Sequence, residues 1–199
     1  VLFDHSQTLL IQYPCGRAGS YTIPAGVKSI GHEAFRGCST LSAITLPSGM
    51  LSIGARAFYR CHGLTSAYLP DSLETIGVQA FFRCNKLNSI SFPESLLKIE
   101  SEAFSRCESL STITFQNQSH LQSLGDYAFN SCSSLTGVEL PASLVSIGAH
   151  CFFDCVNIEH VTILTPSALD SIGESAFENC LDLKRVDLPE TLEFIGDKA

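Results

Sequence analysis

The sequence is poor in the features that mark membrane-spanning, nucleic-acid-binding and disordered proteins. No apolar run exceeds three residues, so no segment can form a membrane-spanning helix. The 12 lysines and arginines are outnumbered by 20 aspartates and glutamates and form no cluster along the chain, which argues against nucleic acid as the main partner. Charged residues make up 16% of the 199 residues and apolar residues 45%, a balance that excludes an intrinsically disordered chain.

Motifs for catalysis and metal binding are also missing. The sequence has no Gly-x-Ser-x-Gly, no His-Glu-x-x-His, no phosphate-binding Gly-x-x-x-x-Gly-Lys-Ser/Thr and no Gly-x-Gly-x-x-Gly. The histidines share no spacing suited to a metal ion: they are His5, His32, His62, His120, His150 and His160. We therefore predict that the protein is not an enzyme and uses neither a cofactor nor a metal.

One repeat runs through most of the chain. Each unit starts with Ile-Gly or a close variant, continues with Ala-Phe and Cys at fixed offsets, and ends with Leu-x-x-Ile-x-Leu, in most units followed by Pro. The units begin at residues 30, 53, 76, 99, 124, 147, 172 and 195, and the last is incomplete. Their spacing is 23 residues, or 25 where a unit carries two extra residues. A fixed period in this range predicts stacked units that bury their apolar sides jointly.

The second half of each unit has the spacing of a β-strand. Ile44 and Leu46 lie two residues apart, so their side chains point to one face while the residues between such positions point outward. Pro47 follows directly and has no N–H to donate, so it ends the pairing of the strand. Successive units are therefore expected to contribute parallel strands to one sheet.

The first half of each unit has apolar residues at helical spacing. Ile30, Ala34, Cys38 and Leu41 fall on one face of a short helix. The glycine after the first isoleucine suits a turn. Because Glu100 replaces it in one unit, positive φ is not required there. Each unit is predicted to be strand, turn, short helix and turn.

This pattern, over residues 18–199, resembles the BspA-type leucine-rich repeat. Residues 1–17 resemble the capping hairpin that precedes such repeats. The resemblance implies an α/β repeat solenoid: a right-handed leucine-rich-repeat superhelix with a parallel concave β-sheet and short helices or turns on the convex side. It also implies a cell-surface or extracellular protein of bacteria or anaerobic protists that acts in adhesion. Because Val1 is not an initiator methionine and no leader follows it, we expect a signal peptide to be absent or already removed. Because the chain also stops at Ala199 within a repeat unit, we interpret it as a fragment.

Cysteine and phenylalanine each occupy one position of the unit. Seven cysteines share one position and are predicted to form a buried, reduced column: Cys38, Cys61, Cys84, Cys107, Cys132, Cys155 and Cys180. A zinc site that includes Cys151 and Cys155 is the alternative, although structural zinc takes four ligands. Cys15 lies outside the column and is predicted to be the most reactive thiol. The motif phenylalanines are predicted to form a packing spine, with Phe82 and Phe153 partly exposed beside it.

Candidate binding residues lie where side chains point outward from the concave sheet. The first four rows are small and mostly hydroxylic, whereas later rows bring charge and an imidazole. The residues predicted to contact a partner are Tyr68, Glu139, His160, Arg185 and Asp187 on the sheet, with Asn117, His120 and Thr165 in the edge loops. Those loops contain the two-residue insertions. The alternatives are ordinary β-surface residues on the sheet and neutral variation in loop length.

The function predicted from these features is a non-catalytic binding or adhesion module. Its partner would be a protein, such as a host extracellular-matrix protein or another cell-surface protein, or a glycan. The alternative is a structural spacer that displays another domain and has no ligand of its own.

Overall fold

The computed structural model describes residues 1–199 as a stack of β-strands and turns. It contains no helix, and therefore none that is long and apolar enough to cross a membrane. The strands, in chain order, are β1 Leu2–Phe3, β2 Leu9–Gln12, β3 Gly19–Thr22, β4 Ser29–Ile30, β5 Leu41–Thr45, β6 Ser52–Ile53, β7 Ser66–Tyr68, β8 Thr75–Ile76, β9 Ser89–Phe92, β10 Lys98–Ile99, β11 Thr112–Phe115, β12 Ser123–Leu124, β13 Gly137–Leu140, β14 Ser146–Ile147, β15 His160–Ile163, β16 Ser171–Ile172, β17 Arg185–Val186 and β18 Phe194–Ile195.

Each complete unit contributes two strands, which join different sheets. The two-residue strand that includes the first isoleucine of each unit belongs to a ten-stranded sheet in the order β1-β2-β4-β6-β8-β10-β12-β14-β16-β18. Only the pair β1 and β2 is antiparallel there, and every later pair is parallel with a register that advances by one unit. The chain is therefore a parallel β-solenoid of stacked coils.

The longer strands form three sheets instead of the single sheet predicted. They are grouped as β3-β5-β7, β9-β11 and β13-β15-β17. The gap between β11 and β13 coincides with the first two-residue insertion, which follows Phe115. At the gap between β7 and β9, the N–H of Asn88 is as far as 3.5 Å from the carbonyl oxygen of Thr65.

The predicted short helices are wrong, because two residues in each unit adopt left-handed backbone conformations. In the first unit these are Glu33, at φ 56°, and Gly37, at φ 72°. A left-handed residue ends each turn, so the N–H of Cys38 bonds back only three residues, to the carbonyl oxygen of Phe35 at 3.0 Å. The N–H of Phe35 points to the next unit, where it donates to Ala57 at 2.8 Å. Stacked turns therefore produce the apolar spacing that resembled a helix.

The glycine that opens the turn is needed for close approach between units. A Cβ on Gly54 would lie 2.6 Å from the carbonyl oxygen of Ile30 in the preceding unit. None of these glycines has positive φ, as the substitution by Glu100 predicted. Glu100 keeps the same ladder bond, from its N–H to the carbonyl oxygen of Ile76 at 2.9 Å.

The motif phenylalanines form the predicted spine of the core. From Phe35 to Phe177, adjacent rings lie 4.9–5.5 Å apart between centroids. Their planes differ by 24° at most, so each ring stacks on the next. Phe82 and Phe153, beside the spine, are half-buried as predicted.

The cysteine column is buried, and its free thiols cap carbonyl groups. The thiol of Cys84 donates to the carbonyl oxygen of Phe58 at 3.2 Å, and the same contact recurs at 3.0–3.3 Å from Cys61 through Cys180. Burial raises the pKa of Cys61, Cys107 and Cys180 to about 12. A small side chain with a weak donor therefore suits this position.

Cys38, the first cysteine of the column, is not a free thiol, which corrects both the prediction of a fully reduced column and that of a reactive thiol at Cys15. Cys15 and Cys38 form a disulfide, with Cα atoms 4.5 Å apart and a sequence separation of 23. That separation equals the repeat period, so Cys15 occupies the place in the column that comes one unit before Cys38. Cys151 fills the place of the motif alanine, and no group of three or more His, Cys, Asp or Glu side chains is close enough to hold a metal ion.

Candidate functional site

The outward side chains of the longer strands form a surface that we call the strand face. In β15, His160 and Thr162 are exposed, whereas Val161 and Ile163 are buried. Glu139 is likewise exposed in β13. Strand alternation therefore presents alternate residues of each unit to solvent.

A shallow cavity of about 180 Å³ lies on the strand face where β13 and β15 pair. Its lining is mostly hydroxyl and charged, namely Ser111, Thr112, Thr136, Gly137, Val138, Glu139, His160 and Thr162. Gly137 is in register with His160, and a Cβ on it would lie 2.6 Å from the imidazole Cε1 and Nε2 atoms. The missing side chain of Gly137 therefore leaves room for the His160 ring to lie against the sheet.

A second cavity, of about 160 Å³, joins the strand face to both insertion loops. It is lined by Phe115, Gln116, Asn117, Gln118, Ser119, Glu139, Pro141, Ala142, Ser143 and Leu164. Residues 116–119 belong to the loop after β11, residues 141–143 to the loop after β13, and Leu164 to the loop after β15. Glu139 lines both cavities, so its carboxylate links the two parts of the candidate site.

Hydrogen bonds within the two loops hold their shapes. The hydroxyl of Ser119 accepts from the N–H of Leu121 at 3.3 Å, and that of Ser167 accepts from the N–H of Leu169 at 3.0 Å. The N–H of Ala168 also donates to the carbonyl oxygen of Ala142 in the preceding unit, at 2.8 Å. The loops are thus tied to the stack, as a preformed binding edge requires.

The other predicted site residues are exposed but do not line these cavities. Tyr68 is 66% exposed at the end of β7, in a different sheet from Glu139. Arg185 is in register with His160, and its Nε donates to a carboxylate oxygen of Asp187 at 2.8 Å. His120 and Thr165 lie in the edge loops and are exposed. The structure therefore brings together Glu139, His160 and Asn117, with the Arg185–Asp187 pair alongside.

Cationic side chains cluster on a surface that the sequence analysis did not identify. We call it the turn face: the turn segments 31–37, 54–60, 77–83, 100–106, 125–131, 148–154 and 173–179. Arg60, Arg83 and Arg106 occupy the last place of three consecutive segments. Their clustering is spatial, because residues 23 apart along the chain are neighbours in the stack. The three arginines hold the same place in successive repeat units, which is visible in the sequence, although no two of them are adjacent along the chain.

Comparison with known proteins agrees with the repeat and the fold. The model of the BspA type leucine rich repeat region matches residues 12–121 and 115–199, with six copies. The solved structure of the Treponema pallidum leucine-rich-repeat protein TpLRR is similar, at 28% identity and a TM-score of 0.69, over 98% of this chain and 81% of that one. The pneumococcal vaccine antigen PcpA shares the fold, at 19% identity and a TM-score of 0.64, over 96% of this chain and 71% of that one. No curated protein sequence matches the chain. With the family model matched along nearly its whole length, the chain belongs to the BspA-type leucine-rich-repeat family.

Proposed function

We propose that this protein is a non-catalytic, extracellular binding module that recognises a protein partner through the strand face of its last units and the adjoining insertion loops. The observation that carries the proposal is the shared lining of two cavities by Glu139. The carboxylate of Glu139, the imidazole of His160 and the polar loop after β11 lie close together there, although none of them belongs to the repeat motif. Leucine-rich-repeat proteins generally act by binding and not by catalysis.

The cavities are open and shallow, which suits a protein surface better than a small molecule. Together they present an exposed carboxylate, several hydroxyls and the apolar side chain of Leu164 along one edge. Standard protein interfaces combine such an apolar contact with a polar rim. The imidazole of His160, packed over Gly137, would occupy the centre of the contact.

The disulfide supports an extracellular location. Disulfides persist in oxidising environments and are rare where glutathione keeps thiols reduced. Cys15 and Cys38 form one, whereas the seven free cysteines are all buried. Burial protects the latter from oxidation, so the two states are compatible in one secreted chain.

The test is equilibrium binding of the chain to a panel of extracellular-matrix proteins, cell-surface proteins and glycans. A variant with Glu139→Gln and His160→Gln keeps the size of both side chains and removes the carboxylate and the imidazole. Loss of two central polar contacts should weaken binding by about tenfold or more. The matched control carries Thr22→Ala and Thr45→Ala, two exposed positions of the same face in the first sheet, and should bind as the parent does.

Gly137→Ala provides a third arm, because it displaces the His160 ring and removes no functional group. We expect it to weaken binding in the same direction as the double variant. If the double variant and the control bind equally well, the site lies elsewhere. If the parent binds nothing at concentrations up to about 100 μM, weaker than roughly −5.5 kcal/mol, the spacer hypothesis is favoured instead.

A further inference from the structure

Three arginines form a column on the turn face of consecutive units. The backbone N–H of Arg60 donates to the carbonyl oxygen of Phe82, the residue before Arg83, at 2.8 Å. The N–H of Arg83 donates in the same way to Ser105, the residue before Arg106, at 2.9 Å. The three residues are therefore one unit apart along the stack. The spine phenylalanines of these units have ring centroids 4.9 and 5.0 Å apart, which gives the rise between them.

The guanidinium groups of this column have no carboxylate partner. The salt bridges of the chain include Arg36 and Arg56, both with Glu33, but none from Arg60, Arg83 or Arg106. The chain as a whole has a net charge of −8, so three unpaired guanidinium groups in one column make this part of the surface locally positive. Such a column attracts anions and can bind each one with two parallel N–H donors.

Aromatic rings beside the column support the guanidinium groups. Tyr59 and Phe82 stack with centroids 5.0 Å apart and planes 7° from parallel. The guanidinium carbon of Arg60 lies 5.2 Å from the centre of the Tyr59 ring, and that of Arg83 lies 5.6 Å from the centre of the Phe82 ring. A guanidinium held against a ring by cation–π attraction keeps its N–H edge free for an anion.

A groove of about 380 Å³ runs beside Arg83 and Arg106, the last two arginines of the column. It is lined by Phe82, Arg83, Glu102, Ser105, Arg106, Tyr127 and Asn130. Its one carboxylate, that of Glu102, already accepts a hydrogen bond from the side-chain amide of Gln79 at 3.0 Å. The groove therefore offers two guanidinium groups and the rings of Phe82 and Tyr127 to a ligand that lies along the stack.

The spacing of the column selects among polyanions. Side chains on one side of an extended peptide recur at about 6.6–6.8 Å, and one strand of duplex DNA rises about 3.4 Å along the duplex axis for each phosphate. Neither matches the rise of one unit, 4.9–5.0 Å. One sugar ring with its glycosidic oxygen spans nearly that rise, so a polysaccharide with one anionic group on each sugar can meet successive arginines.

We propose that the arginine column of the turn face binds an acidic polysaccharide that carries sulfate or carboxylate groups on successive sugars. This site uses residues other than those of the strand face and is independent of the protein-binding function proposed above. The aromatic rings orient the guanidinium groups, and the groove beside Arg83 and Arg106 accepts the sugar rings.

The test uses heparin as the probe, with the chain at about 0.15 M salt, where surface charges are partly screened. A variant with Arg60→Gln, Arg83→Gln and Arg106→Gln loses three charge contacts and should bind about tenfold more weakly or worse. The matched control, Lys28→Gln with Lys98→Gln and Lys198→Gln, removes the same charge elsewhere and should bind within about twofold of the parent. Arg→Lys at the three column positions should fall between them, because lysine keeps the charge but cannot bind bidentately.

Four results would overturn the proposal. They are no heparin binding by the parent at up to about 100 μM, equal loss in the arginine and lysine variants, no loss in either, or tighter binding of poly-glutamate or of oligo-deoxythymidine than of heparin. Circular dichroism and thermal unfolding check that each variant folds. If the triple variant does not fold, Arg60→Gln with Arg106→Gln, at two exposed positions, decides the question. The Glu139→Gln and His160→Gln variant should keep its heparin affinity, which separates this site from the strand face.

Discussion

The first four and the last three turn segments of the stack share one backbone and differ in charge. The first four contain five arginines and three glutamates, namely Arg36, Arg56, Arg60, Arg83, Arg106, Glu33, Glu100 and Glu102. The last three contain four carboxylates and neither lysine nor arginine, namely Asp126, Asp154, Glu174 and Glu178. Across the same boundary, the strand face changes from hydroxyl side chains to charged ones and an imidazole.

This difference shows which positions the stack constrains. Both halves have the same phenylalanine spine, the same cysteine contacts and the same pair of left-handed residues in each unit. These features are buried or belong to the backbone, where each unit must match its neighbour. Exposed positions meet no such requirement, so the two halves can carry different surfaces on an identical core.

The largest expected effect should not distinguish the halves. Phe58→Ala and Phe129→Ala each remove a fully buried ring from the spine, one in each half. Each should lower the free energy of unfolding by about 3–5 kcal/mol, because a buried aromatic leaves a large cavity. Urea denaturation followed by circular dichroism measures both. A difference above about 2 kcal/mol between the two would show that the halves do not share one cooperative core.

The disulfide should produce the next effect, and only in the first half. Cys15→Ala removes the link to Cys38 and should lower the free energy of unfolding by about 3 kcal/mol, as expected for a loop of this length.

The free cysteines give a second test of the column. Without reductant, a thiol reagent at pH 8 should label none of the seven free cysteines, because they are buried and burial raises the pKa of Cys107 to about 12. Mass spectrometry counts the labels. Rapid labelling of the folded, unreduced chain would contradict the buried column.

Left-handed positions should give a smaller effect, of equal size in both halves. Arg83 at φ 57° and Asp154 at φ 58° hold the same place in their units. A β-branched residue is disfavoured there, so Arg83→Val and Asp154→Val should each lower stability by about 1–2 kcal/mol. Thermal unfolding compares them with Arg83→Gly and Asp154→Gly, which relieve the backbone strain and should be no less stable than the valine variants.

The smallest effect concerns two exposed ion pairs, one in each half. A hydrogen bond from Arg36 lowers the pKa of Glu33, and one from Lys184 lowers the pKa of Glu159. Because these carboxyls titrate lower in the folded chain, each stabilises the fold above its ordinary pKa of 4.5, and that contribution is lost as the pH falls through the lowered value. In an NMR titration, Arg36→Gln should raise the pKa of Glu33 and leave that of Glu159 unchanged. A shift in both would contradict the independence of the pairs.

Some features of the candidate site could be predicted from residue spacing, and others could not. Strand alternation correctly placed Glu139 and His160 at exposed positions, since the side-chain period of a strand is local. That Glu139 and Asn117 line one cavity depends on how a loop folds over the next unit. The sequence indicates a relation between Cys15 and Cys38, because their separation equals the repeat period. That the two cysteines form a disulfide is shown only by the structure, in which their Cα atoms lie 4.5 Å apart.

Residue spacing alone predicted the period, the stacking, the phenylalanine spine and the buried cysteines, because an apolar residue that recurs at a fixed place in every unit must face its neighbours. The folded stack determines three other features. It contains turns in place of the predicted helices, because the backbone N–H groups of left-handed residues such as Glu33 donate to the next unit. In a helix these groups would donate within the same segment. It divided the longer strands among three sheets. It also brought arginines 23 residues apart into one column, because stacking converts distance along the chain into contact between units.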